Sequence, residues 1–239
     1  MLKYLIFPIL LSFFSTIGEK ITRRYGRSRH AKQQMLSFAA GITITFLFLN
    51  LLPDLFTGTK HLAWFLYLYV LLGFTFYLIL QEMLYKYSPN TNKLAFELRE
   101  SHAVIAFTYH FIIGIIFVEV IKLENLLNDF LFFLPIQIHV IFSSLASHHN
   151  IKTSNYQSSG FDKLLQWLVV IAPVLGALSA IYLNISQAIS YSLIAVIGGI
   201  LLFITIRELI PKPKEARPFY FILGMLVYIS LLALRFLVI

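Results

Sequence analysis

The sequence predicts an all-α polytopic membrane protein with eight transmembrane helices. Three observations carry that prediction. Hydrophobic residues make up 59% of the chain and charged residues 13%, about half the ~25% charge of a soluble domain. The mean hydropathy is +0.80, and 23 Phe with 13 Tyr are more apolar bulk than one water-facing core hides. The apolar residues also fall into eight runs, most of them near the ~20 residues that cross a hydrocarbon layer of ~30 Å. This composition excludes disorder, collagen-like repeats and an ordinary soluble enzyme. The chain has no cysteine, which excludes disulfides and thiolate metal sites.

The first run, 4–18, has only Lys3 before it and no small-residue cleavage pattern after it, so an uncleaved first span is expected. The others are 35–56, 62–85, 101–121, 126–147, 161–183, 188–210 and 219–238. None alternates with period two, and lipid offers no partner to the backbone of an open strand, so helices are expected. Residues 1–239 form a single membrane domain, with repeat halves at about 1–87 and 161–239 and central spans at about 101–148.

Orientation follows from the basic residues. Of the 19 Lys and Arg, 15 lie in loops 1, 3, 5 and 7 or, as Arg207 does, just before one, and four (Lys3, Lys60, Lys122, Arg235) lie on the other side. The positive-inside rule then puts loops 19–34, 86–100, 148–163 and 211–218 in the cytoplasm and both termini outside, in a cell or inner membrane. The net charge of +8 is therefore a topology signal and not a footprint for nucleic acid. The expected surroundings are the lipid bilayer, and a homodimer is one arrangement open to the chain.

Spans two and seven share a pattern. Ala40-Gly41 is separated by eleven residues from Pro53-Asp54, and Gly198-Gly199 by eleven residues from Pro211-Lys212. The small residues allow close helix approach, and each proline is expected to end its span. With Pro8 and Pro173 at corresponding places in spans one and six, spans 1–3 and 6–8 read as two copies of one unit. Corresponding spans are five apart, an odd number, so the two copies enter the membrane from opposite sides. Inverted repeats of this kind are found in secondary transporters, whose substrate sites lie near the midplane.

Spans four and five fall outside the repeat and hold the unusual polar residues. His110 lies nine residues into span four and His139 thirteen into span five, about 13–14 Å and 20 Å along helices running in opposite directions. Both therefore come near mid-membrane, where an ionisable side chain faces a cavity or a partner. Neutral imidazole suits Zn, Fe, Ni and Cu, although two nitrogens alone leave most of these ions undercoordinated. Asp54 and Glu208 mark the outer end of span two and the inner end of span seven, as mouth-lining or interfacial acids.

These residues resemble the ZIP (zinc/iron permease) family across nearly the whole chain. Phe38-Ala-Ala-Gly41 through Phe48-Leu-Asn-Leu-Leu-Pro53-Asp54 is similar to the family's second helix, with Asn50 where many members have His. Gly199 through Glu208-Leu-Ile-Pro211 is similar to its seventh. The fourth-helix motif His-Asn-x-Pro-Glu-Gly is matched by His110-Phe111-Ile112-Ile113-Gly114-Ile115, and the fifth-helix motif by His139-Val140-Ile141-Phe142-Ser143-Ser144. Only the leading histidines agree; Gly114 and Ser143 stand where acids are expected, so the binuclear site does not carry over. The resemblance implies transport of a divalent cation, zinc or iron, by alternating access, with Asn50, Asp54, His110, His139, Ser143 and Glu208 as site residues. The metal is then cargo, and no resident cofactor or enzymatic activity is implied.

Two other readings stay open. The missing carboxylates also fit a non-transporting relative acting in sensing or assembly. An intramembrane zinc hydrolase needs three converging ligands and an acid or base, but His148 lies about 13 Å beyond His139 along its helix and roughly opposite on it. The topology is directly testable, because the chain has no native cysteine. In intact cells an impermeant thiol reagent is expected to label Lys60→Cys at once, and Lys32→Cys only after permeabilisation. The opposite pattern inverts the orientation.

Overall fold

Helix dominates the computed structural model, which describes residues 2–25, 28–87, 91–121, 126–151, 160–183, 185–210 and 213–237. Its elements are α1 (Leu2–Tyr25), α2 (Arg29–Phe46), a π turn (Leu47–Leu51), α3 (Leu52–Leu62), α4 (Phe65–Tyr87), α5 (Thr91–Ile121), α6 (Leu126–Ile151), α7 (Gly160–Leu183), α8 (Gln187–Ile204), a second π turn (Thr205–Leu209) and α9 (Pro218–Leu237). Three stretches are long and apolar enough to cross a membrane: His30–Lys60, Phe65–Tyr87 and Gln187–Arg207. Five shorter apolar stretches lie in α1, α5, α6, α7 and α9.

Local chemistry sets the helix ends. Ser28 and Ser186 cap α2 and α8, their hydroxyl oxygens accepting from the N–H groups of Ala31 and Ile189 at 3.4 Å each. Pro218 opens α9 at a position where no N–H is needed. Inside the helices, hydroxyls donate back to carbonyls four residues earlier, as Thr43 does to Ala39 (2.9 Å), Thr45 to Gly41 (2.7 Å) and Thr205 to Leu201 (2.6 Å). That is how an apolar segment tolerates them.

Proline does not end the second run as expected. Leu52, just before Pro53, keeps helical angles (φ −63°, ψ −47°), and the helix continues to Leu62. The ring of Pro53 would press on the carbonyl of Leu49, four residues back, and it has no N–H to offer that carbonyl. The π turn widens the helix at that point, with the N–H of Leu52 bonding five residues back to Leu47. The second π turn does the same, Ile210 donating to Thr205 at 3.0 Å, but here Ile210 leaves the helix (ψ 113°) ahead of Pro211 in the sequence. Pro211 and Lys212 themselves lie outside the described residues.

Three helix pairs touch backbone to backbone: α2 with α9, α4 with α8, and α5 with α7. Each contact is made by two glycines. A Cβ on Gly41 would overlap the carbonyl oxygen of Phe221, and one on Gly224 that of Phe38. Gly199 faces Val70 and Gly73 faces Val196 in the same way, as Gly114 faces Pro173 and Gly176 faces Phe111. Small residues let helices approach this closely, where dispersion and Cα–H···O contacts favour the crossing.

The remaining helices close around an aromatic core. Phe7 on α1 stacks on Phe117 of α5 (5.8 Å) and leans on Phe133 of α6 (5.2 Å), while Phe132 lies edge-on to Phe46 and to Phe117 (5.6 Å each). The segment before α9 is tied to α2: the Arg217 N–H donates to Ser37 Oγ (3.1 Å), and its guanidinium donates to His30 Nδ1 (2.6 Å) and Gln33 Oε1 (3.4 Å). Large apolar side chains point outward, as Phe65, Leu72, Phe76 and Ile79 do on α4, while Thr43, Asn50, His110, Gln137, His139 and Thr205 are buried. A surface of that kind belongs against an apolar solvent.

Pro135 interrupts the hydrogen bonding of α6 and deprives the Leu131 carbonyl of its donor. The hydroxyl of Tyr228, on α9, donates to that carbonyl at 3.1 Å from a fully buried position. Tyr228→Phe is therefore expected to leave a buried carbonyl unsatisfied, costing about 1–3 kcal/mol. Thermal denaturation of the purified protein checks this, and an unchanged midpoint refutes it.

A histidine pair in the bundle core

The α5 helix carries Tyr109 and His110 into the bundle, and α6 brings His139 to meet them. Both histidines are buried, His110 at 8% exposure and His139 at 2%. They line one cavity of about 30 Å³ with Tyr77 of α4, Ile105, Ala106, Tyr109, Val140 and Ile204 at the end of α8. That is room for one or two waters or a bare ion. The Tyr109 ring lies against both imidazoles, 5.6 Å from His110 and 6.0 Å from His139 between centroids.

Nδ1 of His110 lies 2.6 Å from the Ala106 carbonyl oxygen. A carbonyl only accepts, so Nδ1 carries the proton and the neutral ring keeps its lone pair on Nε2. This carbonyl contact is the usual way of fixing the tautomer and orientation of a ligating imidazole.

A second, smaller cavity of about 10 Å³ lies on the other side of Tyr109. It is lined by Phe46, Leu51, Ile113, Ile116, Phe132, Ile136, Ile194, Ile197, Leu201 and Tyr109 itself. On α5, α6 and α8 its residues are displaced by one to three turns from those around the histidines. The histidine cavity therefore lies towards the start of α5 and the ends of α6 and α8, and Tyr109 borders both spaces.

The expected site residues thus separate into groups. His110 and His139 share a cavity. Asn50, buried in the first π turn, donates from Nδ2 to Asp54 Oδ2 at 3.4 Å, and neither lines the histidine cavity. Asp54 is exposed, well inside the α2–α3 helical rod and not at its end. Ser143 lies one turn beyond His139 on α6 and Glu208 in the second π turn, but the side chains of both are outside the described part of the structure. Among the described residues no three His, Asp or Glu side chains gather as a metal-binding group.

Gly114 is the position where the sequence resemblance implies an acid. It sits where α5 crosses α7, and even a Cβ there would overlap the Pro173 carbonyl. A side chain at this position and the α5–α7 contact exclude each other. Tyr77 and Tyr109 were not legible as site residues, because tyrosine is common in this chain and its adjacency to His110 was the only hint. Gly114→Glu is expected to destabilise the protein by more than the ~1–3 kcal/mol typical of overpacking, with no gain in zinc affinity. Thermal stability and zinc titration of the purified variant test this; a stable variant with tighter zinc binding contradicts it.

No family model matches the sequence, and no curated protein matches it.

Proposed function

We propose that this protein is a polytopic membrane carrier of a metal cation, arranged as ZIP transporters are. In this reading the eight apolar helical stretches are eight spans with both termini outside. Spans 1–3 and 6–8 are inverted repeats around α5 and α6. The pattern of close contacts supports the repeat. Exchanging the two units turns the α2–α9 crossing, made by Gly41 and Gly224, into the α8–α4 crossing, made by Gly199 and Gly73. Each π turn begins six residues after its glycine, at Leu47 after Gly41 and at Thr205 after Gly199.

The observation that carries the function is the shared burial of His110 and His139 beside one cavity, bounded by helices from the central pair and from both repeats. Ionisable side chains this deep in an apolar bundle mark ion pathways. The cavity also lies at the repeat interface, where carriers of this architecture bind their cargo. Asn50 and Asp54 form a polar pair beside Leu51, which lines the apolar cavity, and such a pair is suited to a mouth. Zinc and iron, the ions the sequence resemblance implies, are the first to test.

A second reading has its own observation. Gly114 substitutes a helix contact for a carboxylate, which fits a relative that keeps the fold for assembly or sensing and has lost transport. Uptake of radiolabelled Zn²⁺ and Fe²⁺ into proteoliposomes separates the two. The carrier reading expects saturable uptake above empty liposomes that falls to background in the His110→Ala/His139→Ala double variant. Background uptake of every metal cation tried, by well-folded wild-type protein, supports the non-transporting relative.

A further inference from the structure

We infer that the cavity between His110 and His139 is a site for a monovalent, two-coordinate d¹⁰ cation, Cu(I), in preference to a divalent ion. This inference rests on the metal-carrier reading and names the class of its cargo.

Charge comes first. None of the described residues lining the cavity is acidic, and two of them are imidazoles that ligate a metal as neutral groups. Burying an ion without a counter-charge costs an amount that grows with the square of its charge, so a monovalent ion meets roughly a quarter of the penalty of a divalent one. Two carboxylates would offset the charge of a divalent ion. The described lining supplies none.

Coordination number gives the same answer. Zinc takes four ligands, or three with a water, and two imidazole nitrogens supply half of that set. Cu(I) has a filled d shell and is satisfied by two nitrogens in line. Imidazole is a competent copper ligand. The Ala106 carbonyl holds the His110 proton on Nδ1, 2.6 Å away, so Nε2 is the nitrogen that binds. The Tyr109 ring lies against both imidazoles, so an ion held between them has an aromatic neighbour and no further charged one among the described lining residues.

The test uses the full-length protein purified in detergent. The probes are Ag⁺, the air-stable analogue of Cu(I), followed by calorimetry, and Cu(I) held by a chromophoric chelator under reducing, anaerobic conditions. One ion is expected to bind per chain. X-ray absorption of the Cu(I)-loaded wild type should show two nitrogen neighbours at about 2 Å, near the usual metal–imidazole length. His110→Gln and His139→Gln should each weaken Ag⁺ binding by more than about 100-fold, since loss of an outer partner alone costs 10–100-fold. His30→Gln, at the start of α2, should leave it unchanged. The spectrum of the wild type stands even where a variant fails to fold. Zinc that binds as tightly as Ag⁺ and depends on both histidines overturns the Cu(I) assignment and leaves the carrier reading standing. Ag⁺ binding indifferent to both substitutions overturns the site. Failure of every ion to bind, together with absent uptake of zinc, iron and Cu(I) by proteoliposomes, overturns the carrier reading as well.

Discussion

Backbone contact between helices is the constraint on which the rest of this structure depends. A water-soluble bundle gathers its helices by hiding apolar side chains, but lipid tails solvate leucine as well as another leucine does. Close approach is the alternative, and three pairs of glycines provide it, at the crossings of α2 with α9, α4 with α8 and α5 with α7. Each crossing joins helices distant in the sequence. The aromatic core of Phe7, Phe46, Phe117, Phe132 and Phe133 then fills the space these crossings leave open.

The same economy governs the polar backbone. Every proline inside a helix removes one donor, and in an apolar medium the freed carbonyl needs another partner or a change in geometry. Both solutions occur here. The Leu131 carbonyl, freed by Pro135, accepts from the Tyr228 hydroxyl of a different helix. The strain that Pro53 would impose is taken up by a π turn, and that wider turn is what seats Asn50 in the interior beside Asp54. A polar candidate residue thus owes its position to a proline three residues further on.

Much of this was legible in the sequence, and the rest was hidden for physical reasons. Length and hydropathy located the apolar helices, because crossing a bilayer leaves a long unbroken signal. The depths of His110 and His139 followed from counting along helices, and the structure places both at one cavity. Gly41 and Gly199 stood out beside small neighbours, whereas their partners Gly224 and Gly73 did not, since a glycine in a membrane helix does not announce what it faces. The continuation of the helix past Pro53 was hidden because proline usually ends helices, and only the geometry of the preceding turn decides otherwise. Tyr109 escaped notice for the opposite reason: aromatic residues are so common in this chain that one more carries no signal.

Packing and chemistry meet on α5. Tyr109 borders both cavities, so its ring is the partition between the polar space at the histidines and the apolar space beyond. Five residues on, Gly114 presses against the α7 backbone, and Gly176 of α7 presses back against Phe111. A swing of α5 alone would pull apart a contact that has no side chains to reach across the gap. The glycine contact one turn beyond His110 therefore ties the helix that carries the histidine to α7.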